Sequence, residues 1–155
     1  MLPYPQNFTI SSGVATSRYQ MVAFDAALID AGISNYNLLR VSSILPVGCR
    51  QTAVVDKKEG SALLVAYGTI SSNVSGQTIA SAIGVGIPED NSRVGVIMEF
   101  AGECDAETAR QIVREMVSEA MSNHGIPCRE ILDSAAEIIV PESEYASVIS
   151  SVALW

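Results

Sequence analysis

Three cysteines, one histidine, one tryptophan and 6% aromatic residues are a thin supply of the side chains that build metal sites, disulfide frameworks and stacking surfaces, in a chain of 155 residues. Cys49, Cys104 and Cys128 are odd in number and widely spaced, and they form none of the close pairs of a structural zinc site or a disulfide scaffold. Reduced thiols are expected, and with them a cytoplasmic location, since Met1-Leu2-Pro3-Tyr4-Pro5 has neither the charged nor the apolar region of a secretion signal. Positive charge is also scarce. Nine Lys+Arg against 17 Asp+Glu leave a net charge of −8, which argues against nucleic acid or an anionic membrane as partner and tilts toward a cationic ligand. No uninterrupted apolar run approaches the roughly 20 residues of a membrane span. The lone His124 follows a long helical pattern, where a positive charge favours the helix C-terminus, so it reads as a cap. A Ser-His-Asp triad and a His-based metal site are therefore poorly supported.

What the chain has in quantity is small and aliphatic residues. The apolar fraction is 48% and the mean hydropathy +0.29, enough for one domain with a sizeable core and an excess that suggests subunit contacts. Patterning predicts an opening strand over about Phe8 to Ser17 and a short helix over Tyr19 to Ala31, its inward face set by Val22, Ala26 and Ile29 and its stop by Gly32. A strand over Asn35 to Ile44 follows, then a polar surface loop over about 50 to 60. Apolar runs at Ala62 to Ser71, Gln77 to Ile87 and Arg93 to Phe100 predict three strands of a mixed or antiparallel sheet. Ala109, Ile112, Val113, Met116, Val117 and Ala120 mark a helix over Asp105 to Asn123, capped by Asp105 and stopped by Gly125, and Glu130 to Val140 and Tyr145 to Leu154 close as strands. Gly84-Val85-Gly86-Ile87 lacks the third glycine and helix start of a dinucleotide loop, so these are strand glycines.

Candidate chemistry lies in polar residues placed within apolar elements. Asp25 shares the face of Val22 and Ile29, where it is either a satisfied structural acid or an acid awaiting a cationic ligand. Period-2 alternation puts Glu99 with Gly95 and Ile97, opposite Val94, Val96, Met98 and Phe100. Covered on both sides, its carboxyl would rise in pKa and suit a general acid, whereas on an edge it would be solvated. Asn37 lies six residues before Ser43, so the two meet only through a bend or a neighbouring copy. Ser42-Ser43, between an apolar strand and Pro46, is one of four serine pairs, with Ser11-Ser12, Ser71-Ser72 and Ser150-Ser151.

The segments Ala23-Phe24-Asp25-Ala26-Ala27-Leu28-Ile29-Asp30-Ala31-Gly32-Ile33, Asn37-Leu38-Leu39-Arg40-Val41-Ser42-Ser43-Ile44-Leu45-Pro46 and Gly95-Val96-Ile97-Met98-Glu99-Phe100 resemble the pyruvoyl-dependent arginine decarboxylases. Ala66-Tyr67-Gly68, Val113-Arg114-Glu115-Met116 and Ala153-Leu154-Trp155 extend the likeness over nearly the whole chain.

The resemblance implies a single α+β domain over residues 1 to 155, built as a layered αββα sandwich. It implies a proenzyme that cuts itself between Ser42 and Ser43 into a β subunit ending at residue 42 and an α subunit beginning at 43. Ser43 becomes a pyruvoyl group that forms a Schiff base with the substrate amine, with Asn37 holding the oxyanion of the cleavage step. Glu99 protonates the α-carbon after CO2 leaves, and Asp25 binds the guanidinium of L-arginine. The product is agmatine, which feeds polyamine synthesis or consumes protons, and neither pyridoxal phosphate nor a metal takes part. The assembly implied is a homotrimer with sites between subunits.

Three positions depart from the family's pattern: Ser34 where glycine is common, Val47 where proline follows Pro46, and Gln77 where glutamate stands. Ser34 and Val47 bear on substrate preference. Two readings stay beside the main one: the same chemistry on another amino acid, and an unprocessed, non-catalytic binding or assembly subunit.

Overall fold

The computed structural model describes residues 2–155 and has two helices and nine strands in two sheets. In chain order these are β1 (Asn7–Ser17), α1 (Gln20–Asp30), β2 (Asn37–Arg40), β3 (Ile44–Leu45), β4 (Arg50–Gln51), β5 (Ala62–Ser72), β6 (Thr78–Pro88), β7 (Gly95–Gly102), α2 (Ala106–Asn123), β8 (Cys128–Ile139) and β9 (Tyr145–Leu154). One sheet has the order β2-β5-β9-β1-β4 and the other β3-β7-β6-β8. The first is mixed, with β1/β4 and β2/β5 parallel, and the second is antiparallel throughout. α1 lies on the first sheet and α2 on the second, with the sheets packed face to face, which is the expected αββα sandwich. No helix among the described residues is long and apolar enough to cross a membrane.

The two sheets bury Phe8, Ala66, Ile83, Val85, Ile97, Val152 and Leu154 between them. Each of these side chains larger than alanine contributes roughly 1.5–3 kcal/mol on leaving water. The inter-sheet layer also takes in hydroxyls: Ser12 on β1 is 2.7 Å from both Ser150 and Ser134, and so ties the two sheets together. Burying these groups is tolerated because each has a partner.

Asp105 caps α2, its carboxylate accepting from the Thr108 N–H at 2.7 Å. Ala109, Val113, Val117 and Met121 turn inward onto the antiparallel sheet, and Gly84 and Gly86 lie within β6 beneath them. Arg110 and Arg114, at the margin of that stripe, pair with Asp133 on β8.

Three sequence expectations need correction. α1 does not turn Val22 and Ile29 inward. They are 51% and 62% exposed, and the buried residues are Ala23, Ala27 and Leu28. The reason is a close approach of helix and sheet: a Cβ on Gly13 of β1 would lie 2.2 Å from the Ala27 carbonyl oxygen. Only the short alanine side chains fit that gap, so the face carrying Asp25 is displaced outward.

The second correction concerns the strand expected over Asn35 to Ile44. It is two strands in different sheets: β2 ends at Arg40, beside β5, and β3 begins at Ile44, paired with β7. Val41, Ser42 and Ser43 carry the chain from one sheet to the other. Arg50 and Gln51, expected in a loop, pair with Asn7 and Phe8 as a short parallel edge strand. The rest of residues 52 to 61 form the expected loop.

Candidate active site

The crossover sets the geometry around Ser43. Ile44 lies opposite Val96 and Leu45 opposite Gly95, and the Ile97 N–H donates to the Ser43 carbonyl oxygen at 2.8 Å. That bond fixes residue 43 at the point where the ladder starts. Ser42, just before it, is exposed, and Ser43 is half-buried in a bend.

The four serine pairs separate by their hydrogen bonds. Ser11 meets Ser151 at 3.1 Å, Ser12 meets Ser150, Ser71 donates to Ser147 at 3.0 Å, and Ser72 donates to Gln77. All six hydroxyls of the other three pairs are thus engaged in the sheets. Of the four pairs, Ser42-Ser43 is the one whose hydroxyls have no such partner among the described residues.

Glu99 follows Ile97 by two positions, so both side chains face the opposing sheet, as the alternation predicts. There it lies against Gly68 of β5, whose place admits no larger residue without movement: a Cβ would come 3.1 Å from that of Glu99. The Gly68 carbonyl is held by the Ser81 hydroxyl at 2.8 Å. Glu99 is neither a core acid nor a solvated edge residue, since its side chain is 32% exposed. Burial pushes its pKa above the ordinary glutamate value, and the nearby Arg40 guanidinium opposes the rise.

Arg40 was in the sequence motif but given no role there. Its Nη2 lies 4.0 Å from Glu99 Oε1 and donates to the Tyr67 carbonyl oxygen at 2.8 Å. The guanidinium also stacks over the Tyr67 ring, 4.4 Å from its centroid. A basic residue three places before Ser43 was the available signal. What it missed was the partner, which comes from the other sheet.

Asn37 starts β2, and its side-chain amide donates to the Gly60 carbonyl oxygen at 2.9 Å. The length of β2, about 10 Å of extended chain, and the crossover separate it from Ser43.

Asp25 is on the exposed face of α1 and opens on a cavity of about 520 Å³ lined also by Ile29, Ser34, Asn35, Tyr36 and Glu59. The Asn35 amide donates to Glu59 Oε1 at 2.8 Å, so a second carboxylate, from the loop before β5, stands in the same cavity. Two carboxylates suit a guanidinium or ammonium group. Neither Ser43 nor Glu99 lines this space. The residues singled out from sequence therefore form two clusters within one chain: Ser42, Ser43 and Glu99 at the crossover, and Asp25 at the other end of β2, with Asn37 beside the strand's start.

The departures from the family pattern fall unequally. Ser34 lines the Asp25 cavity, Gln77 accepts from Ser72, and the Val47 carbonyl accepts from the Tyr4 hydroxyl at 3.1 Å. Only the first touches a candidate site.

Comparison with known proteins covers both clusters. The family model for pyruvoyl-dependent arginine decarboxylase matches residues 7–155. A protein of that name from Methanocaldococcus jannaschii is 36% identical over 151 residues, 97% of this chain and 90% of the relative. Namesakes from Methanococcus aeolicus and Pyrococcus abyssi are 33% and 35% identical, over 99% and 96% of this chain and 93% and 94% of their own length. On the extent of that match, the chain belongs to the pyruvoyl-dependent arginine decarboxylase family.

Proposed function

We propose that this chain cuts itself between Ser42 and Ser43 and, with the pyruvoyl group so made at residue 43, decarboxylates L-arginine to agmatine and CO2. The observation that carries the reading is the hydroxyl of Ser43, free of hydrogen bonds at the crossover while the hydroxyls of the other serine pairs are engaged. Ser43 fits as the source of such a group because its nucleophile is unengaged and its own carbonyl is held by Ile97.

In the cut, Ser43 Oγ attacks the Ser42 carbonyl carbon, and the Ser42–Ser43 peptide becomes an ester. Elimination then breaks the bond between Cβ and Oγ, leaving Ser42 with a free carboxylate. Hydrolysis at the new N-terminus releases ammonia. The developing oxyanion needs a donor, and we assign that to the Asn37 amide of a neighbouring copy, since within one chain β2 and the crossover hold Asn37 away from Ser43 and its amide is engaged by Gly60.

Once formed, the pyruvoyl group would supply an electron sink for the carbanion left by departing CO2. Glu99 supplies the proton to the α-carbon, a role that its raised pKa favours because the acid form then persists toward neutral pH. Activity should fall as pH rises through the Glu99 pKa. Arg40→Met removes the cation that lowers that pKa, so the alkaline limb of kcat is expected to move to higher pH; a limb that stays or moves down would refute the coupling.

The guanidinium of the substrate is assigned to the Asp25 cavity, with Glu59 beside it. Since Asp25 and Ser43 lie in different clusters, the complete site is proposed to form between copies, in a homotrimer. The outer face of α1 supports this: Met21, Val22 and Ile29 surround Asp25 and are 74%, 51% and 62% exposed. The three cysteines are unpaired, in keeping with a reducing, cytoplasmic setting.

Ser34 in the Asp25 cavity favours one second reading, the same chemistry on a related amino acid. CO2 release across Arg, Lys, Orn, His and Asp separates the two. Arginine is expected to lead, and Asp25→Asn to raise its KM by about 10- to 100-fold, the equivalent of one charge-assisted hydrogen bond. Faster turnover of lysine or ornithine would overturn the arginine assignment.

A further inference from the structure

A third feature belongs to neither cluster. A cavity of about 490 Å³ lies around Gly95, where β7 begins. Its apolar lining includes Phe8, Leu45, Ile87 and Leu132, and three guanidinium groups open on it: Arg50 from β4, Arg93 from the turn before β7, and Arg129 from the start of β8. The chain has only nine Lys+Arg and a net charge of −8, so a third of its cations meet at one cavity.

Their compensation is incomplete. Arg129 pairs with Glu130, the one carboxylate in the lining, at 3.5 Å. Asp90 shares the turn of Arg93 and feels its charge weakly, but its hydrogen bonds come from the Ser92 N–H and hydroxyl and it forms no ion pair with Arg93. Among the described residues, Arg50 and Arg93 have no ion-pair partner within 4.0 Å. Like charges drawn from three separate elements repel unless an anion lies among them, and guanidinium forks match carboxylate and phosphate oxygens.

The volume suits a small molecule, and the apolar lining suits one with a carbon skeleton. A polynucleotide or an anionic bilayer is disfavoured by the net negative charge of the whole. We propose that this cavity binds a small organic anion bearing carboxylate or phosphate groups, held by Arg50, Arg93 and Arg129. Leu45 and Pro46, two and three residues after Ser43, line the same cavity, so its occupancy bears on β3 and the crossover.

The test is calorimetric titration of the full-length protein with citrate and with inorganic phosphate, at constant ionic strength, and it does not depend on any catalytic reading. Saturable binding of either, weakened at least about tenfold in Arg50→Gln/Arg93→Gln but unchanged in Arg18→Gln, is the expected result. The probe that binds more tightly identifies the carboxylate or the phosphate class. Absence of saturable heat with both probes, or equal loss in Arg18→Gln, overturns the proposal. All three arginines are exposed, and the thermal unfolding of each variant is followed to exclude a folding defect.

Discussion

Ser43→Ala is expected to leave the protein as one uncut chain of 155 residues, with decarboxylation at background. Alanine removes the only atom that can attack the Ser42 carbonyl from within the junction, and with it the oxygen whose departure makes the new N-terminus. The fold should survive: the Ser43 hydroxyl has no hydrogen bond to lose, and the bond from Ile97 is to the backbone carbonyl, which alanine keeps. Ser42→Ala is the informative companion. Position 42 contributes only its carbonyl to the reaction, so this variant should still be cut and still be active. Intact mass resolves the pair, and fragments or CO2 release from Ser43→Ala would end the proposed mechanism.

Glu99→Gln should give the opposite separation, a chain that is cut but slow. Glutamine keeps the shape against Gly68 and lacks a transferable proton, and loss of a positioned acid costs about 10²- to 10⁴-fold in kcat. The mass spectrum should show both fragments, since the serine reaction does not draw on this carboxyl. The alkaline limb of the pH profile should also vanish, because the group whose deprotonation causes it is gone. A kcat unchanged within about twofold would remove Glu99 from the chemistry, leaving it as a packing residue beside Gly68.

Much of the fold was legible in the chain because long strands and α2 carry strong periodic signals. Asp105, Gly125 and the stripe from Ala109 to Val117 determined α2 to within a residue or two. α1 was misread for a physical reason: its inward face is the one with the smaller side chains, and the cause, Gly13, lies on a strand that precedes it. Hydrophobicity alone favours Val22 and Ile29, whereas the approach distance favours Ala23 and Ala27.

The division of Asn35 to Ile44 was hidden in the same way. A stretch that reads as one strand does not reveal that its two ends pair with different sheets, because pairing partners lie far along the chain. The candidate site was legible to the extent that a likeness to known proteins supplied it. Residue types alone left Asp25, Asn37 and Glu99 open. Arg40 and Glu59 were missed because each acquires its significance from a neighbour in space.

The crossover at Val41 to Ser43 has one more consequence. Residues 1 to 42 hold β1, α1 and β2, and they dock through ten paired positions from Phe8↔Leu154 to Ser17↔Tyr145 and through β2 on β5. Under the proposed cut, non-covalent contacts such as these hold the two pieces together, and refolding becomes a second-order encounter between separate polypeptides. The mature protein should then melt at a temperature that rises with its concentration more steeply than that of the Ser43→Ala chain, because it separates into twice as many pieces. Assembly must come before scission, and a molecule that comes apart afterwards has lost the tether that brought its sheets into register.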